Sequence, residues 1–524
     1  MIHHTYNPRV LKNLIKQLEP YVVEESVVLD EWTSYTGEHV RPAVIELDGK
    51  PAVTMCLGDR WSATLDTTRY FEKEFIVPEC LQDKKIYLTI DFGGEAIVRI
   101  NGEIMGAVSS REASGWVHRA DILFHRPLKA GERLFIQIEN AVDSGGYFNH
   151  AFPGKEPITY TLNTAVFRVI NEEAEDIWYD ITCAWNVYEV AEDEYVGKRI
   201  YNAVDNAIHK LDFDFGKERF YETIPEAKKC LWDELEKIKY ATPGEVMICG
   251  HSHLDVAWLW TVKEIHRKCA RTFSNNVSLM KTYPDFKFTQ SQAAVYSYVK
   301  NHYPEVYEDV KKFVKNGQWE ITGNTWVEAD TNLASGESLV RQLLYGREFF
   351  MKEFGISSDI YWLPDCFGFT AALPQVIRKS GMKYFLTSKL QYNDTNEFPL
   401  SVFKWRSHSG DEVLAYMQKV HYEGEADANY IKQTRKTNRT FNETFTCFVK
   451  SFHPFVKVKI LFPAVELTAV LPCGINSFTE PSVALCKNCF KHTYIWIVIA
   501  YSYFLCFYGI HEQFLLVLDH FTGI

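Results

Sequence analysis

Two hydrophobic periods divide this chain. Residues 85–92, 96–102 and 134–139 alternate apolar and polar side chains with period two, as half-buried strands do. The pair Asn101-Gly102 between two such runs is typical of a hairpin turn. Several short strands separated by Gly and Asn predict an antiparallel β-sandwich domain, which we place at residues 45–215.

Helical patterns lie on both sides of this segment. Apolar residues repeat with a helical period between Val10 and Leu18, which predicts a helical segment over residues 1–44. Residues 216–244 mix Glu and Lys, and we interpret them as a solvated helical linker. Beyond it, short apolar strands alternate with long helical stretches, so residues 245–445 are predicted to form an α/β domain with a parallel sheet.

Residues 446–524 differ in composition from the rest. They contain five Lys, four acidic residues and five of the 12 Cys. The nearly uncharged stretch 494–508 is shorter than the ~20 residues of a membrane helix. This apolar tail is either a marginal membrane anchor or a translated non-coding stretch, and the change in composition favours the second. The spacing of Cys486 and Cys489 resembles a metal motif, but a lone pair is a weak signal.

Charge and composition exclude some functions. The net charge is −12, whereas a nucleic-acid footprint needs clustered Lys and Arg, so we expect no nucleic-acid partner. The polar N-terminus has no apolar signal region, which predicts a cytoplasmic location, with a vacuolar one left open. Aromatic residues make up 15% of the chain; core packing explains this better than carbohydrate stacking, although both fit.

A polar cluster follows the predicted strand at residues 246–250. His253 and Asp255 are two residues apart, so their side chains point the same way in an extended chain. An imidazole and a carboxylate that converge suit zinc, although a purely structural strand-end cluster is a real alternative. We interpret His251 as a group that supports the ligands or the loop by hydrogen bonds.

Two further acidic motifs follow strand-like segments. Asp365 comes after Pro364 at a strand-to-helix turn, where it either presents its carboxylate or caps a helix. Glu328 and Asp330 end another segment, and they either line the same cleft or cap a helix that begins near Ser335.

Together these motifs resemble glycoside hydrolase family 38, the α-mannosidases, and most closely its cytosolic and vacuolar branch. The matching words are HSHLDVAWLW (251–260), RKCARTF (267–273), GQWEITGNTWVEADTNLASGESLVRQ (317–342) and YWLPDCFGF (361–369). The order of three separate motifs makes the resemblance specific. It implies hydrolysis of terminal α-mannose residues in mannose-containing oligosaccharides.

The resemblance also implies roles for individual residues. It implies that Zn²⁺, or another divalent metal such as Co²⁺, is bound by His253, Asp255 and Asp365. Asp365 would also be the nucleophile. Substrate-binding residues would be Trp258, Phe367 and Lys389.

Elementary chemistry agrees with these roles. A retaining glycosidase needs a carboxylate nucleophile and a carboxylic acid about 5–5.5 Å apart. A metal that holds vicinal sugar hydroxyls would orient the ring as a template and Lewis acid. The positive charge of the metal would keep a bound carboxylate ionised.

The sequence departs from the family pattern after Thr444. The later segments that carry the second metal histidine and the general acid of the family do not follow, so we assign neither group. A non-catalytic carbohydrate-binding relic is therefore an alternative function. A different zinc hydrolase, such as a deacetylase, is disfavoured by the order of Asp255, Glu328 and Asp365 in their motifs.

We predict that the chain as written is nearly inactive as a mannosidase. General acid catalysis contributes about 10²–10⁴-fold, and an unactivated sugar leaving group depends on it. Rates should be measured for zinc-loaded protein on an oligosaccharide and on an aryl α-mannoside. We expect no measurable turnover on the first and at most slow turnover on the second. Robust oligosaccharide cleavage would mean that another residue, such as Glu328 or Asp330, supplies the proton.

Overall fold

The computed structural model describes most of the first 438 residues and two short strands beyond them. The described ranges are 7–41, 44–64, 67–110, 120–142, 157–238, 245–258, 260–392, 395–396, 398–418, 427–438, 458–459 and 494–500. Within these ranges, every helix is too short or too polar to span a lipid bilayer.

Antiparallel strands form the first large part of the structure. They are β1 Val23–Val28, β2 Trp32–Arg41, β3 Val44–Leu47, β4 Val53–Met55, β5 Arg60–Ala63, β6 Thr67–Ile76, β7 Ile86–Asp91, β8 Glu95–Ile100, β9 Glu103–Ser109, β10 Asp121–Leu123, β11 Arg133–Ala141, β12 Ile158–Thr161 and β13 Thr164–Ile170. One sheet has the order β1-β13-β7-β10, and a second has the order β3-β2-β6-β11-β8-β9 with β4 also on β2. Strand β12 pairs with β5.

The two antiparallel sheets share one apolar core. Phe71 and Ile138 from one sheet and Ile90 and Phe167 from the other are fully buried in the same cluster. The period-two alternation of the sequence produces this arrangement because it places every second side chain on the inner face. The hairpin predicted at Asn101-Gly102 joins β8 to β9, and both turn residues have the positive φ that this turn requires.

Helices from both sides of this strand region pack together in a bundle. Its members are α1 Pro8–Lys16, α2 Glu19–Val22, α3 Glu172–Val190, α4 Glu194–Ile208 and α5 Lys217–Leu235. The side chains of Asn171 and Asp193 cap α3 and α4. Each accepts the backbone N–H of the residue three positions later. Strands therefore begin before residue 45 and end at Ile170, whereas the sequence analysis had extended the strand-rich domain to residue 215.

Helix α5 lies inside the range interpreted as a solvated linker. It buries Phe220, Ile224, Ala227 and Leu231 in a core shared with α1, α3 and α4. Its charged residues face outward, as expected, but its apolar stripe packs against the other helices. Helix α5 is therefore part of the helical bundle, and the prediction that it is only a solvated linker was wrong.

The second large part alternates helices with mostly parallel strands. Its elements are β14 Glu245–His251, α6 Val262–Thr282, β15 Phe288–Gln292, α7 Ala293–His302, α8 Pro304–Asn316, β16 Trp319–Thr325, α9 Gly336–Phe354, β17 Ile360–Trp362, α10 Leu373–Lys379, β18 Tyr384–Thr387, β19 Val402–Arg406, β20 Glu412–Met417 and α11 Ala428–Asn438. Short 3₁₀ helices cover Glu79–Leu81 and Lys389–Gln391.

Two sheets with parallel pairing form the centre of this α/β part. The first has the order β16-β15-β14, and the second has the order β17-β18-β20-β19, in which only β19 is antiparallel to its neighbour. Asn324 at the end of β16 connects them, because its side chain donates to the Ser358 carbonyl and accepts from the Ser358 N–H. These hydrogen bonds join the end of β16 to the residues just before β17.

The tail contributes two described strands to the first sheet. Strand β21, Val458–Lys459, is antiparallel to β14, and strand β22, Tyr494–Ala500, is parallel to it. The remaining residues of the apolar stretch and the pair Cys486 and Cys489 lie outside the described residues.

Gly346 allows helix α9 to lie close to strand β16. A Cβ atom at this position would be 2.4 Å from both the Asn324 oxygen and the Thr325 carbonyl carbon. Because these are backbone atoms of a buried strand, Gly346→Ala must displace the helix. We expect a loss of about 1–3 kcal/mol of unfolding free energy, which denaturant titration measures. Gly336→Ala in the same helix has open space and should change stability by less than about 0.5 kcal/mol; equal effects would contradict the close-packing account.

Candidate metal centre and active site

The segment that follows β14 is held in an extended form by two glutamines of β15. The buried Gln290 and Gln292 side chains donate to the carbonyls of Ser252 and Leu254, at 2.5 and 2.7 Å. Fixing alternate carbonyls in this way keeps the segment extended, and side chains two residues apart in an extended segment lie on the same side. His253 and Asp255 consequently face the same way, and His253 Nε2 lies 3.2 Å from Asp255 Oδ1.

Asp365 reaches the same point from the end of β17. Its Oδ2 lies 3.2 Å from His253 Nε2. The turn that presents Asp365 is fixed by Ser388, whose hydroxyl donates to the Pro364 carbonyl at 2.7 Å. Helix α10 begins only at Leu373, so Asp365 is not the cap of that helix. One nitrogen and two carboxylate oxygens therefore converge within 4.8 Å of one another.

Glu328, whose role the sequence left open, is a hydrogen-bond partner of His253. Its Oε2 accepts from His253 Nδ1 at 2.6 Å, and its Oε1 accepts from the Ser291 hydroxyl at 2.5 Å. Both carboxylate oxygens are occupied, and the Glu328 side chain is buried. A histidine that binds a metal through one nitrogen usually donates its other N–H to such a carboxylate. Glu328 thus orients the imidazole so that Nε2 faces Asp255 and Asp365.

The other acidic residue of that motif has a different position. Asp330 accepts the backbone N–H groups of Asn332 and Leu333 in a turn, both at 2.8 Å. Ser335 caps helix α9 with its own side chain. Neither Glu328 nor Asp330 is the cap of that helix.

Burial and charge oppose each other at His253. Burial of the ring lowers the pKa of His253, but the charge of Glu328 and the hydrogen bonds to Asp255, Asp365 and Glu328 outweigh it, so this pKa lies well above its usual value. Burial raises the pKa of Asp365, but the contacts with His253 and the Lys389 ammonium lower it by more. The pKa of Asp365 therefore lies well below its usual range. Asp365 is therefore an ionised carboxylate at neutral pH.

Lys389 holds the second oxygen of Asp365. Its ammonium lies 2.6 Å from Asp365 Oδ1. The same ammonium lies over the rings of Phe367 and Tyr392, at 4.6 and 4.0 Å from their centroids. Tyr392 was not singled out in the sequence, because no motif surrounds it. Lys389 is buried and contacts three side chains, and its role in substrate binding stays a prediction.

Two exposed aromatic rings follow the candidate ligands closely in sequence: Trp258 follows Asp255, and Phe367 follows Asp365 and lies under the Lys389 ammonium. Trp258 is 51% exposed and Phe367 is 73% exposed, which is unusual for large aromatic side chains. Trp258 packs edge-to-face on Trp260, with centroids 5.4 Å apart. Exposed aromatic faces next to fixed polar groups suit the stacking of a sugar ring, which has an apolar face and polar edges.

His251 lies outside the convergent cluster, which consists of His253, Asp255 and Asp365. Its Nδ1 donates to the Thr289 carbonyl at 2.9 Å, and its Nε2 accepts from Trp362 Nε1 at 3.1 Å. Burial lowers the pKa of His251 to about 3, so the ring is neutral. It supports the strand ends by hydrogen bonds, in agreement with the sequence interpretation.

The convergent cluster fits a divalent metal ion. Zn²⁺ binds histidine nitrogen and carboxylate oxygen and leaves a position open in catalytic sites. The only other cation in direct contact with these carboxylates, among the described residues, is Lys389 on the far oxygen of Asp365. His253, Asp255 and Asp365 are thus the residues that would hold the ion.

Comparisons with known proteins identify the class. Residues 243–454 match the sequence profile described as "Glycosyl hydrolases family 38 N-terminal domain". The match contains every residue of the convergent cluster and its supporting groups. Residues 243–454 therefore match the N-terminal domain of glycosyl hydrolase family 38, and by this resemblance the chain is similar to the glycoside hydrolases of that family.

Individual relatives are alpha-mannosidases. The chain is 35% identical over 386 residues to "Alpha-mannosidase G" of Dictyostelium discoideum, with 71% of this chain and 34% of the relative covered. It is 32% identical to "Alpha-mannosidase 2C1" of Mus musculus over 69% of this chain and 34% of the relative. It is 39% identical to an "Alpha-mannosidase" of Saccharomyces cerevisiae over 39% of this chain and 20% of the relative. The chain spans about a third of the length of the first two relatives.

We predict that Glu328→Gln weakens metal binding. Glutamine keeps the shape but removes the charge that orients and polarises His253, and the loss of such a partner usually costs about 10–100-fold in affinity. Titration of the metal-free protein with Zn²⁺ measures the change. Asp330→Asn is the matched control, because Asp330 lies two residues away and serves only its own turn. Equal affinities for the two variants would remove Glu328 from the metal centre.

Proposed function

We propose that this chain carries the nucleophile side of a site for hydrolysing terminal α-D-mannose residues with retention of configuration, that Asp365 is the nucleophile, and that turnover by this chain is weak. The observation that carries the proposal is the environment of Asp365. One of its oxygens faces His253 and the other faces Lys389, so the carboxylate is ionised and its direction is fixed. An ionised, oriented carboxylate is what the first step of a retaining glycosidase requires.

The proposed reaction has two steps. A carboxylate oxygen of Asp365 attacks the anomeric carbon, the bond from that carbon to the departing oxygen breaks, and the departing group takes up a proton from an acid or from water. Water then attacks the anomeric carbon of the glycosyl ester and releases mannose and the Asp365 carboxylate. Lys389 limits the directions that Asp365 can take, while Trp258 and Phe367 stack against the sugar. A zinc ion at His253, Asp255 and Asp365 would act as a Lewis acid toward sugar hydroxyls.

Several finer assignments belong to the same proposal. The substrates are mannose-containing oligosaccharides, as the names of the relatives suggest. We propose a cytoplasmic or vacuolar location for the protein. The antiparallel region forms a β-sandwich that precedes the zinc-dependent α/β domain, in line with the single core shared by its two sheets.

We predict that Asp365→Asn abolishes the hydrolysis of an activated aryl α-mannoside. Such a leaving group departs without strong acid assistance, so the test isolates the nucleophile. The wild-type protein should release α-mannose first, which proton NMR detects, and Asp365→Asn should lose at least about 10²-fold in rate. Zinc content is measured for each variant, since Asp365 is also a candidate ligand.

Three outcomes separate the hypotheses. Release of β-mannose first would contradict retention. Undiminished turnover in Asp365→Asn, with Asp330→Asn as the control, would contradict the nucleophile. Mannose binding without turnover in the wild type would favour the carbohydrate-binding relic, in which Trp258 and Phe367 provide the binding surface.

A further inference from the structure

Trp260 contacts both the backbone of Asp255 and the ring of Trp258. Its indole N–H donates to the backbone carbonyl of Asp255 at 3.0 Å. Its ring packs edge-to-face against Trp258, with an interplanar angle of 89°. Trp260 itself is nearly buried, in the same apolar core as helix α6. One side chain thus touches the segment that carries a candidate metal ligand and the ring proposed to stack on the sugar.

The face of this indole ring is covered by a buried cation. The Lys268 ammonium lies 4.5 Å from the centroid of the Trp260 ring, and only 1% of Lys268 is exposed. A desolvated ammonium over an indole face is a favourable cation–π contact, and indole is the strongest aromatic partner. Such a contact fixes the plane of the ring, because the cation must remain over its face.

A carboxylate of the antiparallel region holds this cation in place. Lys268 Nζ donates to both oxygens of Glu95, at 2.9 and 3.2 Å. Glu95 begins strand β8 and is itself buried, and Arg271 lies 2.8 Å from its second oxygen. A buried ammonium is stable only when it is paired, so Glu95 determines where the Lys268 cation sits.

We propose that Trp260 is a positioning residue for the metal centre and the sugar-stacking ring, and that Glu95 controls its orientation through Lys268. In this arrangement the antiparallel region sets the geometry of a site whose ligands all lie in the α/β part. The inference rests on the proposed metal-dependent function, and it adds groups that touch neither metal nor sugar.

The test compares metal affinity in two tryptophan variants. Trp260→Phe removes the N–H donor to Asp255 and weakens the cation–π contact. We expect its affinity for Co²⁺ and Zn²⁺ to fall about tenfold, as for other groups that support metal ligands, with a changed Co²⁺ absorption spectrum. Trp61→Phe is the matched control: Trp61 is buried in the antiparallel core and also donates one hydrogen bond to a backbone carbonyl, that of Phe92, away from the metal centre. It should destabilise the fold and leave affinity and spectrum unchanged.

Variants of Lys268 test whether its ammonium positions the Trp260 ring. Lys268→Met should also weaken metal binding, whereas Lys268→Arg, which keeps a cation, should restore most of the affinity. The double variant Trp260→Phe, Lys268→Met should bind metal no more weakly than the weaker single variant, because Lys268 acts through the indole. The melting temperature of each metal-free protein reports stability separately. If Lys268→Met does not fold, the arginine and Trp260 variants still decide the question.

The outcomes distinguish this inference from the proposed function. If Trp260→Phe melts at a lower temperature but binds metal like the wild type, Trp260 is only a packing residue and the inference is wrong. If His253→Ala also leaves metal affinity unchanged, the metal centre itself is wrong. Weaker binding in His253→Ala together with normal binding in Trp260→Phe overturns the positioning role alone.

Discussion

The contact between His253 and Glu328 is the constraint on which the rest of the site depends. A buried imidazole between carboxylates is stable only when the direction of each nitrogen is decided, and Glu328 decides it by holding Nδ1. The other ring nitrogen, Nε2, then contacts Asp255 and Asp365, so a group outside this cluster directs the imidazole toward both acids. Ser291 in turn fixes Glu328, which extends the same constraint to strand β15.

The sequence predicted those parts of the site that short-range geometry determines. The spacing of His253 and Asp255 sufficed because an extended segment places both side chains on one side. The shared site with Asp365 followed from the order of motifs after successive strands, since parallel strands end together. These residues do converge, while their roles in binding and catalysis remain predictions.

Long-range partners could not be predicted in this way. Glu328 lies 75 positions from His253 in sequence, and Glu95 lies 173 positions from Lys268. Nothing local marks either pair, because only the packing of distant elements decides which charges meet. The prediction of a β-sandwich domain over residues 45–215 was wrong for the segment that forms helices α3 and α4. Interior boundaries of this kind depend on packing partners, which composition does not reveal.

The buried charges on helix α6 also bear on where this molecule can be divided. Arg267, Lys268 and Arg271 face acids that include Glu139 and Glu95 of the antiparallel sheets. The family match begins at residue 243, so a fragment cut at that boundary would retain all candidate ligands and lose these two acids. Lys268 would then lose Glu95, and Arg267 and Arg271 would be left to share Glu264 beside an apolar surface. The evolutionary module and the electrostatic module therefore have different borders, and recombination that exchanges one part must carry both sides of the charge cluster.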